Sequence, residues 1–207
     1  MSLFITFEGG EGCGKSVQAR ILYDKLIKAD IPAVLTYEPG GTPLGDKINH
    51  LLKWNEGLDI SPLTELLLFN ASRSQLVDAV IKPALKKGKV VICDRFADST
   101  TVYQGYGRGI ELEVAKAVNN TATHGIKPEL TILLDLPAEE GLTRKSYTEQ
   151  DRFEKEDIAF HKRVCRGYLE LATEEPERWL VIDARQSKAN IADIIWQKVS
   201  QLLAKRT

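Results

Sequence analysis

"FEGGEGCGKSVQ" (residues 7–18) sets Gly9, Gly14, Lys15 and Ser16 at the spacing G-x-x-x-x-G-K-[ST]. Backbone N–H groups of such a loop can turn inward around phosphate oxygens, because glycine tolerates the angles this requires. Lys15 then reaches the β- and γ-phosphates, and the Ser16 hydroxyl becomes a ligand for Mg²⁺. The candidate nucleotide-binding residues are Gly9, Gly10, Glu11, Gly12, Cys13, Gly14, Lys15, Ser16 and Val17. An idle glycine-rich turn is the alternative, and the flanks argue against it. "LFITFE" (residues 3–8) reads as a short apolar strand, and residues 15–29 have helical spacing with Val17, Ile21, Leu22 and Leu26 on one face. Strand, loop and helix in that order put phosphates at a positive helix end. The chain is expected to bind a nucleoside triphosphate.

Further apolar runs follow at "AVLTYE" (33–38), "VVICD" (90–94), "LTILLDL" (130–136) and "WLVID" (179–183). Each is almost continuously apolar, as strands of a parallel sheet covered on both faces should be. Helical stretches lie between them, at 62–85, 111–121, 157–174 and 189–203. The expectation is a doubly wound α/β fold with about five parallel strands, in one domain over residues 1–207. The charged segment "RKSYTEQDRFE" (144–154) lacks apolar periodicity and is either a solvated loop or a lid over the phosphates.

The 28 basic and 29 acidic residues nearly cancel, which argues against a dedicated nucleic-acid binder. No long apolar run suggests a membrane span. Cys13, Cys93 and Cys165 lack metal-ligand spacing and read as reduced thiols of a cytoplasmic protein, with Cys93 in the core. His50, His124 and His161 read as surface residues.

In such sheets ligands sit beyond the carboxyl ends of the strands, where Glu38, Asp94, Arg95 and Asp183 fall. Asp94 could orient a Mg²⁺ shell and Arg95 could grip a phosphate, or the two could form a strand-end salt bridge. Phe69 and Arg73 share a helical face that suits a planar base, or are an ordinary core phenylalanine and surface arginine. "DSTTVYQGYGRG" (98–109) offers Thr100, Tyr103, Gln104 and Arg108, in a composition no packed helix needs. It is a nucleoside-binding segment or a surface loop.

The ordered set "FEGGEGCGKS", "EPGGTP", "FNASR", "DRF", "STTVYQGYGRG", "LLDLPAEEGLTR" and "DRFE" resembles the thymidylate kinase family, in its bacterial form. The resemblance implies a homodimeric P-loop kinase with a five-stranded parallel sheet, helices on both sides and a short lid. It implies transfer of phosphate from ATP to dTMP with Mg²⁺ held at Ser16 and Asp94. Phe69 would stack on thymine, Arg73 would donate to O4, and Thr100 and Gln104 would lie near N3. Tyr103 would press on the sugar, Glu11 would approach the 3′-hydroxyl, and Glu38 would belong to the same dTMP site. Lys15, Asp94, Arg95, Arg144 and Arg152 would be catalytic, Arg144 against adenine and Arg152 over the phosphates. Some relatives carry an arginine inside the phosphate loop; here Gly12 stands there, so the cation has to come from the lid. Tyr37 and Asn49 stand where relatives commonly carry arginine.

A nucleoside monophosphate has a second pKa of about 6, so the acceptor is already a nucleophile at neutral pH. Positioning and charge neutralisation then suffice, without a histidine base. Arg73 would meet the O4 acceptor of thymine but oppose the amino group of cytosine donor to donor, so dCMP should hardly be an acceptor, while loss of the thymine methyl should make dUMP a poorer one. Two rivals stay open: a deoxynucleoside kinase with Glu38 as base, and a nucleotide-binding switch module.

Overall fold

The computed structural model describes residues 2–54, 57–145 and 150–206. Five parallel strands run in the order β2-β3-β1-β4-β5. They are β1 (Leu3–Glu8), β2 (Ala33–Tyr37), β3 (Val90–Asp94), β4 (Leu130–Asp135) and β5 (Trp179–Asp183). Helices α1 (Lys15–Lys28), α2 (Pro43–Trp54), α3 (Pro62–Leu76), α4 (Lys82–Lys86), α5 (Ala97–Thr100), α6 (Leu112–Thr123), α7 (Ala138–Lys145), α8 (Ile158–Glu174) and α9 (Lys188–Ala204) surround them.

Side chains of a strand alternate between faces, and β1 shows what that does here. Leu3, Ile5 and Phe7 pack with Leu22 and Leu26 of α1 and with Ile191, Ile195 and Val199 of α9. Phe4 points the other way, against Leu76, Val77 and Phe96. Glu8 at the strand end shares that second side, where it accepts from Phe96 N, the Ser99 hydroxyl and the Tyr168 hydroxyl. Helix starts follow local chemistry. Ser61, Asp157 and Ser187 each cap the first turn of α3, α8 and α9, and Pro62 opens α3 without losing a needed N–H.

Four expectations need correction. Val17 does not share the buried face of α1; it is exposed at the mouth of a cleft, while Gln18, Ala19, Leu22 and Leu26 face inward. The stretch 62–85 is not one regular helix, since a π-turn at Val77–Ile81 interrupts it. Residues 98–109 are not a surface loop. They form α5 and a π-helix over Thr101–Gly107 that is mostly buried, its glycines allowing close helix contact. A Cβ on Gly107 would stand 2.6 Å from the Phe160 ring. His161 is buried rather than exposed, edge-on to Phe160, and burial pushes its pKa down. Cys93 is buried in β3 and all three cysteines are free.

Candidate active site

Strand β1 lies between β3 and β4, so its following loop opens where the connections on its two sides part company. Residues 9–14 form that loop, and Gly14 enters α1 in the left-handed region at φ 97°. Lys15 Nζ donates to the carbonyls of Gly9 at 3.1 Å and Gly10 at 2.7 Å. The Ser16 hydroxyl donates to Asp94 Oδ2 at the end of β3. Both line a cleft of about 770 Å³ with Gly12, Gly14, Val17, Arg144 and Lys145. Cys13 is buried beneath the loop, where its Sγ lies 3.5 Å from Lys15 Nζ.

A second cavity sits beside the first, lined by Phe69, Arg73, Thr100, Tyr103, Gln104 and Phe153 among others. The Phe69 and Phe153 rings stand 5.6 Å apart at 56°, giving it an aromatic side. Glu11, Glu38, Pro39, Lys53, Arg95 and Asp151 border both cavities and form their common wall.

Arg95 is the centre of that wall. It adopts φ 69°, a region that costs a non-glycine residue about 1 kcal/mol. Its Nη2 donates to Glu11 Oε1 at 2.7 Å and to the Tyr103 hydroxyl at 3.1 Å. Its Nη1 donates to Gly9 O, the Ser99 hydroxyl and the Tyr168 hydroxyl, each at 3.2 Å. The Tyr103 hydroxyl itself donates to Glu11 Oε1 at 2.7 Å. Burial would raise the Glu11 carboxyl, but Arg95 and then Lys15 hold it well below the usual carboxylate range. Glu8 behind Arg95 goes the other way, pushed up to about 7 by burial and by Asp98.

Arg73 is fully buried, and all five of its N–H groups have protein acceptors. Nε meets Glu38 Oε2 at 2.8 Å, Nη1 meets Asn70 and Asn119, and Nη2 meets Phe96 O and the Thr100 hydroxyl. Donation from Arg73 to a base requires exchanging one of these bonds. As arranged, Arg73 fixes Glu38 and Thr100 in the cavity wall. Among the described residues Glu38 Oε1 has no partner, and burial lifts this carboxyl to about 7 against the lowering by Arg73.

A stability experiment follows from Glu38. Between pH about 4.5 and 7 the native state holds this proton more tightly than the unfolded chain does. Wild-type stability therefore loses a contribution as pH rises through that window, by on the order of 2 kcal/mol. Glu38→Gln does not titrate and lacks this slope. Guanidinium unfolding at pH 5 and pH 8 should show the wild-type stability, relative to the variant, falling with pH. A difference that is flat or rises with pH refutes the assignment.

The lid segment is the main departure. Residues 146–149 of the expected lid at 144–154 lie outside the described residues. Arg144 lines the cleft of the phosphate loop and donates to Ala184 O at 3.4 Å. Arg152 does not face the phosphates. Its Nη2 donates to Glu65 Oε2 at 2.6 Å, its Nε to Leu52 O at 2.9 Å, and its guanidinium lies over Phe153. A buried carboxylate with room for two cations outcompetes an open cleft for this side chain. Lys145, beside Arg144, is the second basic residue of this stretch on the cleft. Asp183, noted for its strand-end position, instead turns outward to Arg185 at 2.9 Å. Tyr37 donates to Asp46 at 2.8 Å, and Asn49 lines the cleft with an Oδ1 that has no partner among the described residues.

Sequence reasoning missed Lys53, Glu65, Asp151 and Phe153. The last two stand inside the "DRFE" motif, which was a usable signal; Lys53 and Glu65 carry none.

The thymidylate kinase family model matches residues 7–195. A thymidylate kinase of Dehalococcoides mccartyi is 56% identical over 203 residues, covering 98% of each chain. One of Roseiflexus sp. is 44% identical over 220 residues, covering 100% of this chain and 97% of that protein. The crystal structure of thymidylate kinase from Ehrlichia chaffeensis has a TM-score of 0.78 at 34% identity, covering 96% of this chain and 98% of that one. The five-stranded sheet, the phosphate cleft and the adjoining aromatic cavity agree with these likenesses, and the chain belongs to the thymidylate kinase family.

Proposed function

We propose that this chain transfers the γ-phosphoryl group of ATP to dTMP, as a homodimer in the cytoplasm. The observation that carries the reading is the common wall. Arg95, Glu11 and Glu38 border both the cleft of the phosphate loop and the aromatic cavity. A triphosphate in the first and a monophosphate in the second would bring their phosphates together there. An oxygen of the dTMP phosphate attacks Pγ, the bond from Pγ to the β,γ-bridging oxygen breaks, and ADP leaves with dTDP as product. Little proton transfer is needed, so the residues act by position and charge.

In this reading Lys15 and Arg144 neutralise the triphosphate, Arg95 holds the acceptor phosphate, and Phe69 stacks on the base. Tyr103, held by Glu11 and Arg95, stands against the sugar. Ser16 and Asp94 are hard oxygen donors side by side on the cleft. Among the described residues no three His, Cys, Asp or Glu side chains cluster as a metal cage. That donor set fits Mg²⁺, which takes one or two protein oxygens and fills its shell with phosphate and water. Mg²⁺ bound there would supply neutralisation of the β- and γ-phosphate oxygens.

Support for the dimer, beside the resemblance, is that α2, α3 and α6 each carry exposed apolar side chains. Leu44, Leu63, Leu67 and Val114 are all large and exposed, and Leu63 and Leu67 share one stripe of α3. Placement in the cytoplasm rests on three free cysteines.

A coupled ADP-release assay with dTMP, dUMP, dCMP, UMP and thymidine tests the reaction. dTMP should turn over fastest, dUMP more slowly, and dCMP and UMP barely. Thymidine used in preference to dTMP would replace this reading with a deoxynucleoside kinase, and ATP hydrolysis without any acceptor would replace it with a switch.

A further inference from the structure

Glu65, in the first turn of α3, is a glutamate with no solvent exposure. Three side chains donate to it. Gln104 Nε2 meets Oε1 at 2.7 Å, Arg152 Nη2 meets Oε2 at 2.6 Å, and Arg108 spans both oxygens at 3.2 and 3.3 Å. A carboxylate in such company can only accept, so Gln104 has to present its NH₂ end to Glu65. The amide carbonyl is then forced to the other side. Gln104 lines the aromatic cavity, and its Oε1 has no donor among the described residues.

We propose that Glu65 is a positioning residue that locks the Gln104 amide with its oxygen toward the acceptor base. The pocket then offers an acceptor to a ring N–H and repels a ring nitrogen lone pair. This rests on the dTMP reading of the cavity. Thymine and uracil carry a proton on N3 where cytosine has a lone pair, so a locked amide oxygen separates them without touching the exocyclic groups. The two arginines serve the same end. Arg108 also pairs with Glu156 at 2.6 Å, and Arg152 also donates to Leu52 O, so their positions do not depend on Glu65 alone. They balance the buried charge that a neutral amide partner would leave uncompensated.

The test is kcat/KM for dTMP and dCMP in wild type, Glu65→Gln, Gln104→Leu and the double variant, with melting curves for each. Glutamine at 65 can donate as well as accept, so the Gln104 amide is free to turn over. Glu65→Gln should narrow the dTMP:dCMP ratio by about tenfold, with dCMP gaining relative to dTMP. In the Gln104→Leu background it should leave the ratio unchanged. Equal losses on both acceptors, or the same narrowing without Gln104, would reduce Glu65 to a structural group and overturn the proposal. Should Glu65→Gln not fold, exchange of the Gln104 side-chain NH₂ protons in ¹⁵N-labelled wild type decides. Protection supports the lock, and exchange at the rate of exposed amides overturns it. A wild type that ignores dTMP would refute the functional reading, while amide protection still tests the orientation.

Discussion

Arg95→Met lowers kcat/KM for dTMP by about a thousandfold, while ATP binding persists within a few fold. Removing one preorganised donor from a transition state costs on the order of 10²–10³ in rate, and an arginine on a transferring phosphoryl costs 10³–10⁵. The structure places Arg95 at the high end of a single donor. Its side chain is only 16% exposed, its backbone is held at φ 69°, and five protein oxygens aim its guanidinium at the wall between the cavities. The group is therefore held in place before substrate arrives, and gripping a phosphate requires only the exchange of one of these bonds. The ATP side is less affected, because Lys15 and Arg144 lie on the cleft independently of Arg95. Arg95→Lys should recover only part of the loss, since an ammonium keeps the charge but not the planar fork. Steady-state kinetics with titration calorimetry for ATP would measure both quantities. A kcat/KM within tenfold of wild type for Arg95→Met would remove Arg95 from the acceptor site.

Gly12→Ala weakens triphosphate binding by about a hundredfold, an effect on the donor side to match. Gly12 lies at φ 67°, and a Cβ there would stand 2.1 Å from the carbonyl oxygen of Gly141. The reverse holds as well, for a Cβ on Gly141 would meet Glu11 O at 2.2 Å. Both obstacles are backbone, so no rotamer change relieves them. Either the loop or α7 has to move, and α7 carries Arg144 and Lys145 onto the cleft. Overpacking of this kind costs about 1–3 kcal/mol, and the unfavourable φ adds to it. Gly14 makes the control. Its φ of 97° is as unfavourable, yet a Cβ there meets nothing within 4 Å, so Gly14→Ala should cost less. Nucleotide titrations of the two variants check this. Equal losses would mean that backbone strain, not the fit against Gly141, governs the loop. The same contact leaves no room for an arginine side chain at Gly12.

Much of the fold was legible because it is local. Three of the five strands end where the apolar runs do, and the other two are one residue shorter than their runs. Continuous apolar stretches admit little else once both sheet faces are covered. The phosphate loop is equally local, for its glycines, lysine and serine act within eight residues. Segment 98–109 did not read as a packed helix because three glycines among mostly polar side chains lower helix propensity. Packing against Phe160 and Leu112 overrides it, and there the glycines are what makes contact possible.

Local pattern was enough for the strands, for the phosphate loop with Lys15 and Ser16, and for the family. The strand order, the close approach of Gly12 to Gly141, the burial of His161 and the direction of Arg152 come from the packing of distant elements. Arg152 finds Glu65 at a separation of 87 residues, and Arg95 finds Tyr168 at 73. Periodicity and motif spacing report what neighbouring residues can do with one another. A long charged side chain goes to whichever desolvated partner the packing of distant elements leaves for it, and no local pattern carries that information.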